Sequence, residues 1–133
     1  MGGPHETVFG KLRNTANITA LCSTRIYPNQ VPWNAPLPAI AYLKVWDRTF
    51  HAMGRDPSVY ESGFQVDILS TELGQLMTLS ARVKNALRDY SGSTWGTIQR
   101  IFFDGQTEVE EIDPESRTKT QRAVQNYTVW WAT

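Results

Sequence analysis

Two rhythms of apolar residues run along the chain. The helical one is clearest at Leu73, Leu76, Leu79, Val83, Leu87 and Tyr90, whose steps of three and four predict a helix over residues 72–90. Thr71 stands where an N-cap belongs, Glu72 suits the positive helix start, and Gly92 follows the end. A weaker helix is expected over residues 6–22, with Val8, Phe9 and Leu12 on one face. Asn14, Thr15 and Asn17 are poor helix formers and mark its breaking point.

The second rhythm is that of strands. Residues 39–46 set Ile40, Tyr42 and Trp46 against Ala41, Leu43 and Val45, so both faces are apolar and the strand belongs inside a sheet. In residues 61–70, Phe64, Val66 and Ile68 point one way and Gln65 and Asp67 the other, the pattern of a half-buried strand. Ile98–Phe103 reads as a strand, Asp104-Gly105 as a tight turn, and Thr107–Ile112 as the returning partner. Asp113-Pro114-Glu115-Ser116 reads as another turn, and Arg122–Trp131 as the last strand. Residues 28–38 hold Pro28, Pro32, Pro36 and Pro38, and proline's fixed φ and missing amide hydrogen predict an extended loop. Residues 47–60 form a long polar connection, making the strands on either side an extended hairpin. The expected fold class is α+β, one domain over residues 1–133: an antiparallel β-sheet with two helices packed against it.

Composition narrows the function classes. With 133 residues and 41% apolar content the chain builds a core without staples. Thirteen basic residues balance thirteen acidic ones, which argues against non-specific nucleic-acid binding. Cys22 is the only cysteine, so no internal disulfide forms. No apolar run approaches the roughly 20 residues that span a bilayer, so no membrane role is expected, and the N-terminus lacks a signal-peptide pattern.

Catalytic chemistry finds little to work with. His5 and His51 are the only imidazoles, and neither sits in a motif. Cys22 with His51 can be drawn as nucleophile and base, but a lone cysteine after an apolar turn reads as core packing. There is no zinc spacing, no phosphate loop and no sign of a cofactor. Glu108, Glu110, Glu111 and Asp113 form an acidic cluster with no other ligand type nearby, which favours a solvated strand face over a metal site. Between Asp104 and Glu115 there are six acids and no base, so the segment carries a local negative field. Adjacent Trp130 and Trp131 must face opposite sides of a sheet, which leaves core packing and a subunit interface both open for the outward ring.

Ser23-Thr24-Arg25-Ile26-Tyr27-Pro28, followed by Ala35-Pro36-Leu37-Pro38-Ala39-Ile40-Ala41-Tyr42, resembles the opening of the tail terminator or tail completion family of long-tailed bacteriophages. Phe64-Gln65-Val66-Asp67-Ile68, the helix Glu72 to Tyr90, the acidic segment and the closing Gln125-Asn126-Tyr127-Thr128-Val129-Trp130 resemble that family in the same order, over nearly the whole chain. The resemblance implies a structural virion protein without enzymatic activity or cofactor. It would form a homohexameric ring at the head-proximal end of the tail, assembled in the host cytoplasm. That ring would cap the tail tube protein, stop its polymerisation and meet a head completion or connector protein, with DNA passing through unbound. A closed ring suits the physics, since it pairs exposed sheet edges with neighbours.

Two candidate surfaces follow. The connection Asp47–Tyr60 is too polar for core and too long for a turn, so Arg48, Phe50 and Arg55 are expected to contact a neighbouring subunit or the tube. Glu108, Glu110 and Glu111 are expected to face the channel or a basic partner. The nearest alternative is another phage neck protein on the head side. A small cytoplasmic enzyme would need a convergent polar pocket, for which the sequence offers no candidate set. A nucleic-acid module would rest on Arg82, Lys84 and Arg88, but Glu72 and Asp89 dilute that strip, which reads as a solvated helix face.

Overall fold

The computed structural model describes residues 3–32, 34–49, 59–94, 96–112 and 119–132. The first helix, α1 (Pro4–Arg13), starts with Pro4 in the first turn, and Glu6 accepts a 2.8 Å hydrogen bond from the Gly3 amide. The expected break falls at Asn14 and Thr15. Asn14 Nδ2 donates to the Gly10 carbonyl at 2.8 Å and Thr15 Oγ1 to that of Lys11 at 2.6 Å, local bonds that compete with continuing the helix. A separate helix, α2 (Ala16–Cys22), follows, so the described residues hold three helices where two were expected.

Strand β1 (Ile26–Pro28) lies within and just before the proline-rich stretch and pairs parallel with β2 (Ala39–Thr49), Ile26 opposite Ile40. The sheet is therefore mixed: one parallel pair, the remainder antiparallel. β2 and β3 (Val59–Ser70) extend further than expected, so Asp47, Arg48, Thr49 and Tyr60 belong to the ladder and not to a connection.

The helix α3 (Leu73–Leu87) follows directly on β3. Its N-cap is Glu72, not Thr71, and the Glu72 amide donates to Ser70 Oγ at 3.2 Å. Asp89, with φ 61°, takes the left-handed position expected of Gly92. Leu73 is exposed, and Leu76, Leu79, Val83 and Leu87 form the buried stripe.

The largest correction concerns Asp104-Gly105. No turn occurs there: β4 (Thr97–Ile112) is one strand of 16 residues, and a β-bulge lies between Phe103 and Gly105. Its partner is β5 (Lys119–Ala132), which inserts between β3 and β4, giving the order β1-β2-β3-β5-β4. The expected turn at residues 113–116 lies outside the described residues.

All three helices cover one side of this sheet. Val8, Leu12, Ile18, Cys22, Leu76, Leu79, Val83 and Leu87 meet Ile40, Tyr42, Phe64, Val66, Ile68, Ile101, Tyr127 and Val129 in one core. β3 and β5 present every second residue to that core, and the intervening residues line the uncovered side.

Candidate interaction surfaces

Cys22 is buried, and burial pushes its thiol pKa up, the reverse of what a nucleophile needs. His5 packs edge-on against Phe64, ring centres 5.2 Å apart. His51 lies outside the described residues, and with it any pairing to Cys22. Among the described residues no group of three His, Cys, Asp or Glu side chains is placed to hold a metal. The interior polar groups form a structural chain. Tyr127 Oη donates to Gln125 Oε1 at 2.6 Å, and Gln125 Nε2 donates to the Ser80 carbonyl at 2.9 Å and to Gln106 Oε1 at 2.8 Å.

The uncovered side of the sheet carries a band of aromatic rings and arginines across four strands. Val45 bulges out of β2, which sets Trp46 opposite Gly63. Arg48 lies over the Trp46 ring at 5.4 Å and donates through Nε to Glu61 Oε1 at 3.0 Å. Glu61 in turn accepts from Trp130 Nε1 at 2.8 Å. Phe102 meets Trp130 edge-on at 5.4 Å, and Arg100 lies over Phe102 at 5.1 Å. The band shields Glu61, which is 8% exposed, while 68% of the Arg48 side chain remains open to solvent. Arg48, expected at an interface, thus lies on the open side of the sheet. Phe50 and Arg55, expected beside it, lie outside the described residues.

Trp131 faces the other way, as adjacent strand residues must. It stacks on Tyr60 at 4.6 Å, and its Nε1 donates to Ser62 Oγ at 2.8 Å. Ser62 bonds Asp47, which also pairs with Lys44 at 2.6 Å. Burial opposes ionisation of Asp47, but these hydrogen bonds prevail and hold its pKa below the usual value.

The acidic residues divide between the two faces. Glu108 and Glu110 follow Gln106 at two-residue steps on the helix side and accept from the amides of Gln106 and Gln121, both at 2.9 Å. Glu111 is on the opposite side, paired with Arg122 at 3.2 Å. Arg122 also bonds Asp67 at 2.7 Å, and this trio lines a cleft of about 420 Å³ with Gln65, Leu43 and Leu69. The helix-face strip is partly engaged: Arg82 donates to the Asn17 carbonyl at 2.7 Å, Arg88 lies 3.6 Å from Asp89, and Lys84 lies over the Phe103 ring.

Sequence reasoning missed the Trp46–Glu61–Trp130 cluster. The one available signal was Gly63 inside a strand, which marks a close approach of another group.

A family model described as "Tail completion protein gp17" matches residues 6–132. No curated protein sequence matches the chain. Among solved structures, a chain of the virion of a native gene transfer agent (GTA) particle has the same fold, with a TM-score of 0.66 at 16% identity. The alignment covers 95% of this chain and 92% of that one.

Proposed function

Because this chain belongs to the tail completion protein gp17 family, we propose that it is a structural virion protein that caps the tail tube as a homohexameric ring. In this reading the ring terminates tube polymerisation and offers the surface for head–tail joining, at the head-proximal end of the tail. The observation that carries it is the family match over residues 6–132. The fold shared with a chain of a gene transfer agent virion supports a place in a phage-like particle.

The physics supports the same reading. A tube grows because each added ring exposes the same face for the next. Stopping it takes a protein that matches the growing face and does not reproduce it on the other side, a task of shape and strand pairing without reactive groups. The long edge strand β4 and the exposed Arg48 beside Trp46 are surfaces of that kind. Partners in this reading are further copies of the chain, the tail tube protein and a head completion or connector protein, and DNA passes without specific binding.

Deleting the gene tests it directly. Tubes of uncontrolled length and filled, unattached heads are expected, and purified protein should bind one end of finished tubes and block further growth. Normal-length tails joined to heads in the deletion would remove the terminator reading.

A further inference from the structure

Two surfaces of this chain are incomplete, and each supplies what the other lacks. The first is a groove of about 320 Å³ between α3 and β4, lined by Met77, Ser80, Ala81, Lys84, Phe103 and Gln106. Met77 is 46% exposed at its rim, and Leu73, one turn earlier, 56%. Lys84 lies 4.6 Å over the Phe103 ring and meets no carboxylate among the described residues. Ser80 is 2% exposed, and among the described residues its hydroxyl is the buried side-chain polar atom without a hydrogen-bond partner. The exposed Met77 and Leu73 leave the groove without apolar cover, and Lys84 leaves it without a carboxylate.

The second surface is the distal half of β4, Glu108–Ile112, on the sheet edge. Val109 and Ile112 are apolar yet 43% and 56% exposed. Glu110 and Ile112 share a side of the strand, because alternate residues do. Glu108 and Glu110 accept hydrogen bonds from neutral amides and meet no cation among the described residues. The groove ends at Gln106, two residues before Glu108 on the same extended strand, so a chain cannot fill its own groove with this segment.

We propose that the α3–β4 groove of one copy receives the Glu108–Ile112 end of β4 from a second copy. Ile112 enters between Met77 and Phe103, and Glu110 meets Lys84. The charges favour it: Lys84 at the groove meets no carboxylate among the described residues, while Glu108 and Glu110 on the helix-side face of distal β4 meet no cation there. Such a contact joins two different patches, and made head-to-tail it closes into a ring when the rotation per subunit divides the circle. The inference rests on the ring reading above and gives that ring its subunit contact.

Two cysteine variants test it, Met77→Cys and Ile112→Cys, each made in the full chain and mixed under mild oxidation with ring size read by native mass spectrometry. Cys22 is buried, so the new thiols are the reactive pair. A disulfide joining a Met77→Cys copy to an Ile112→Cys copy is expected, and none between two Met77→Cys copies. Lys84→Glu and Glu110→Lys, made singly, should weaken subunit association roughly tenfold or more, and combined in one chain they should restore it. Rings at unchanged affinity in both single variants, without the mixed disulfide, overturn the groove contact and leave the ring standing. Unmodified protein that forms no ring alone or on tail tubes, and no disulfide, overturns both.

Discussion

The Trp46 indole fills the space that any side chain at residue 63 would need: a Cβ built on Gly63 falls 2.1 Å from the indole nitrogen. Gly63→Ala therefore forces Trp46 off the sheet and takes the ring from under Arg48. The expected cost is about 1–3 kcal/mol, read from urea melts. In a Trp46→Ala background the same substitution should cost less, with a coupling of about 0.5–3 kcal/mol. Equal costs in the two backgrounds would contradict the contact.

Tyr127 makes stability fall on the alkaline side. Burial raises its pKa above the ordinary 10.0. The folded state thus holds the phenolic proton more tightly than the unfolded state. The resulting stability is complete below the unfolded pKa and declines as pH rises beyond it. Tyr127→Phe leaves Gln125 Oε1 without its donor and should cost about 1–3 kcal/mol at neutral pH. It should also flatten the decline above pH 10 in thermal melts scanned with pH. An alkaline limb unchanged by the substitution assigns the titration to another group.

The connection between β2 and β3 should matter for assembly more than for folding. Thr49 and Tyr60 are paired, so replacing residues 50–59 by Asn-Gly keeps that pair as the last rung of a two-residue hairpin, at the loss of the single Val59–Ala132 rung between β3 and β5. The melting temperature should stay within roughly 4 °C, the equivalent of about 1 kcal/mol. Phe50 and Arg55 are lost in this variant, and ring formation and infectivity should be abolished. Wild-type infectivity with the short turn would remove Arg55 and Phe50 as contacts.

Changing Glu108, Glu110 and Glu111 together to Gln should alter stability by less than about 1 kcal/mol, because the groups are exposed. Arg122 keeps Asp67 as its partner. The effect is expected in particle yield, in DNA ejection kinetics and in docking of partners. If all three match the parent phage, the acidic run is a solubilising face only.

Most elements were legible because periodicity reports burial directly. The stripe Leu76, Leu79, Val83, Leu87 and the alternation Phe64, Val66, Ile68 read as they fold. What failed were inferences from local turn chemistry. Asp-Gly serves a hairpin and a bulge equally well. Here Asp104 accepts from Thr128 Oγ1 at 2.5 Å and the strand continues past Gly105. The deciding fact is non-local: β5 has 14 residues and pairs with β3 on one side and β4 on the other, which two short strands folded on each other would not match. β1 was hidden for a similar reason, since its hydrogen bonds come from a parallel neighbour that no local pattern announces.

The interaction surfaces were legible only as residue types. Arg48 and Glu108, Glu110 and Glu111 could be named from polarity and charge. Which face each takes depends on the β2 and β4 bulges, and a one-residue shift reverses it. Glu111 thus parts from its two neighbours and joins Arg122 and Asp67.

The place of β5 also bears on biosynthesis. β5, made after β1, β2, β3, α3 and β4, sits between two strands made earlier. On the ribosome β3 and β4 therefore emerge with no strand between them, and both ladders wait for the same final segment. The nascent chain holds these edges unpaired until then, so the β3–β5–β4 part of the sheet closes only once β5 has left the ribosome.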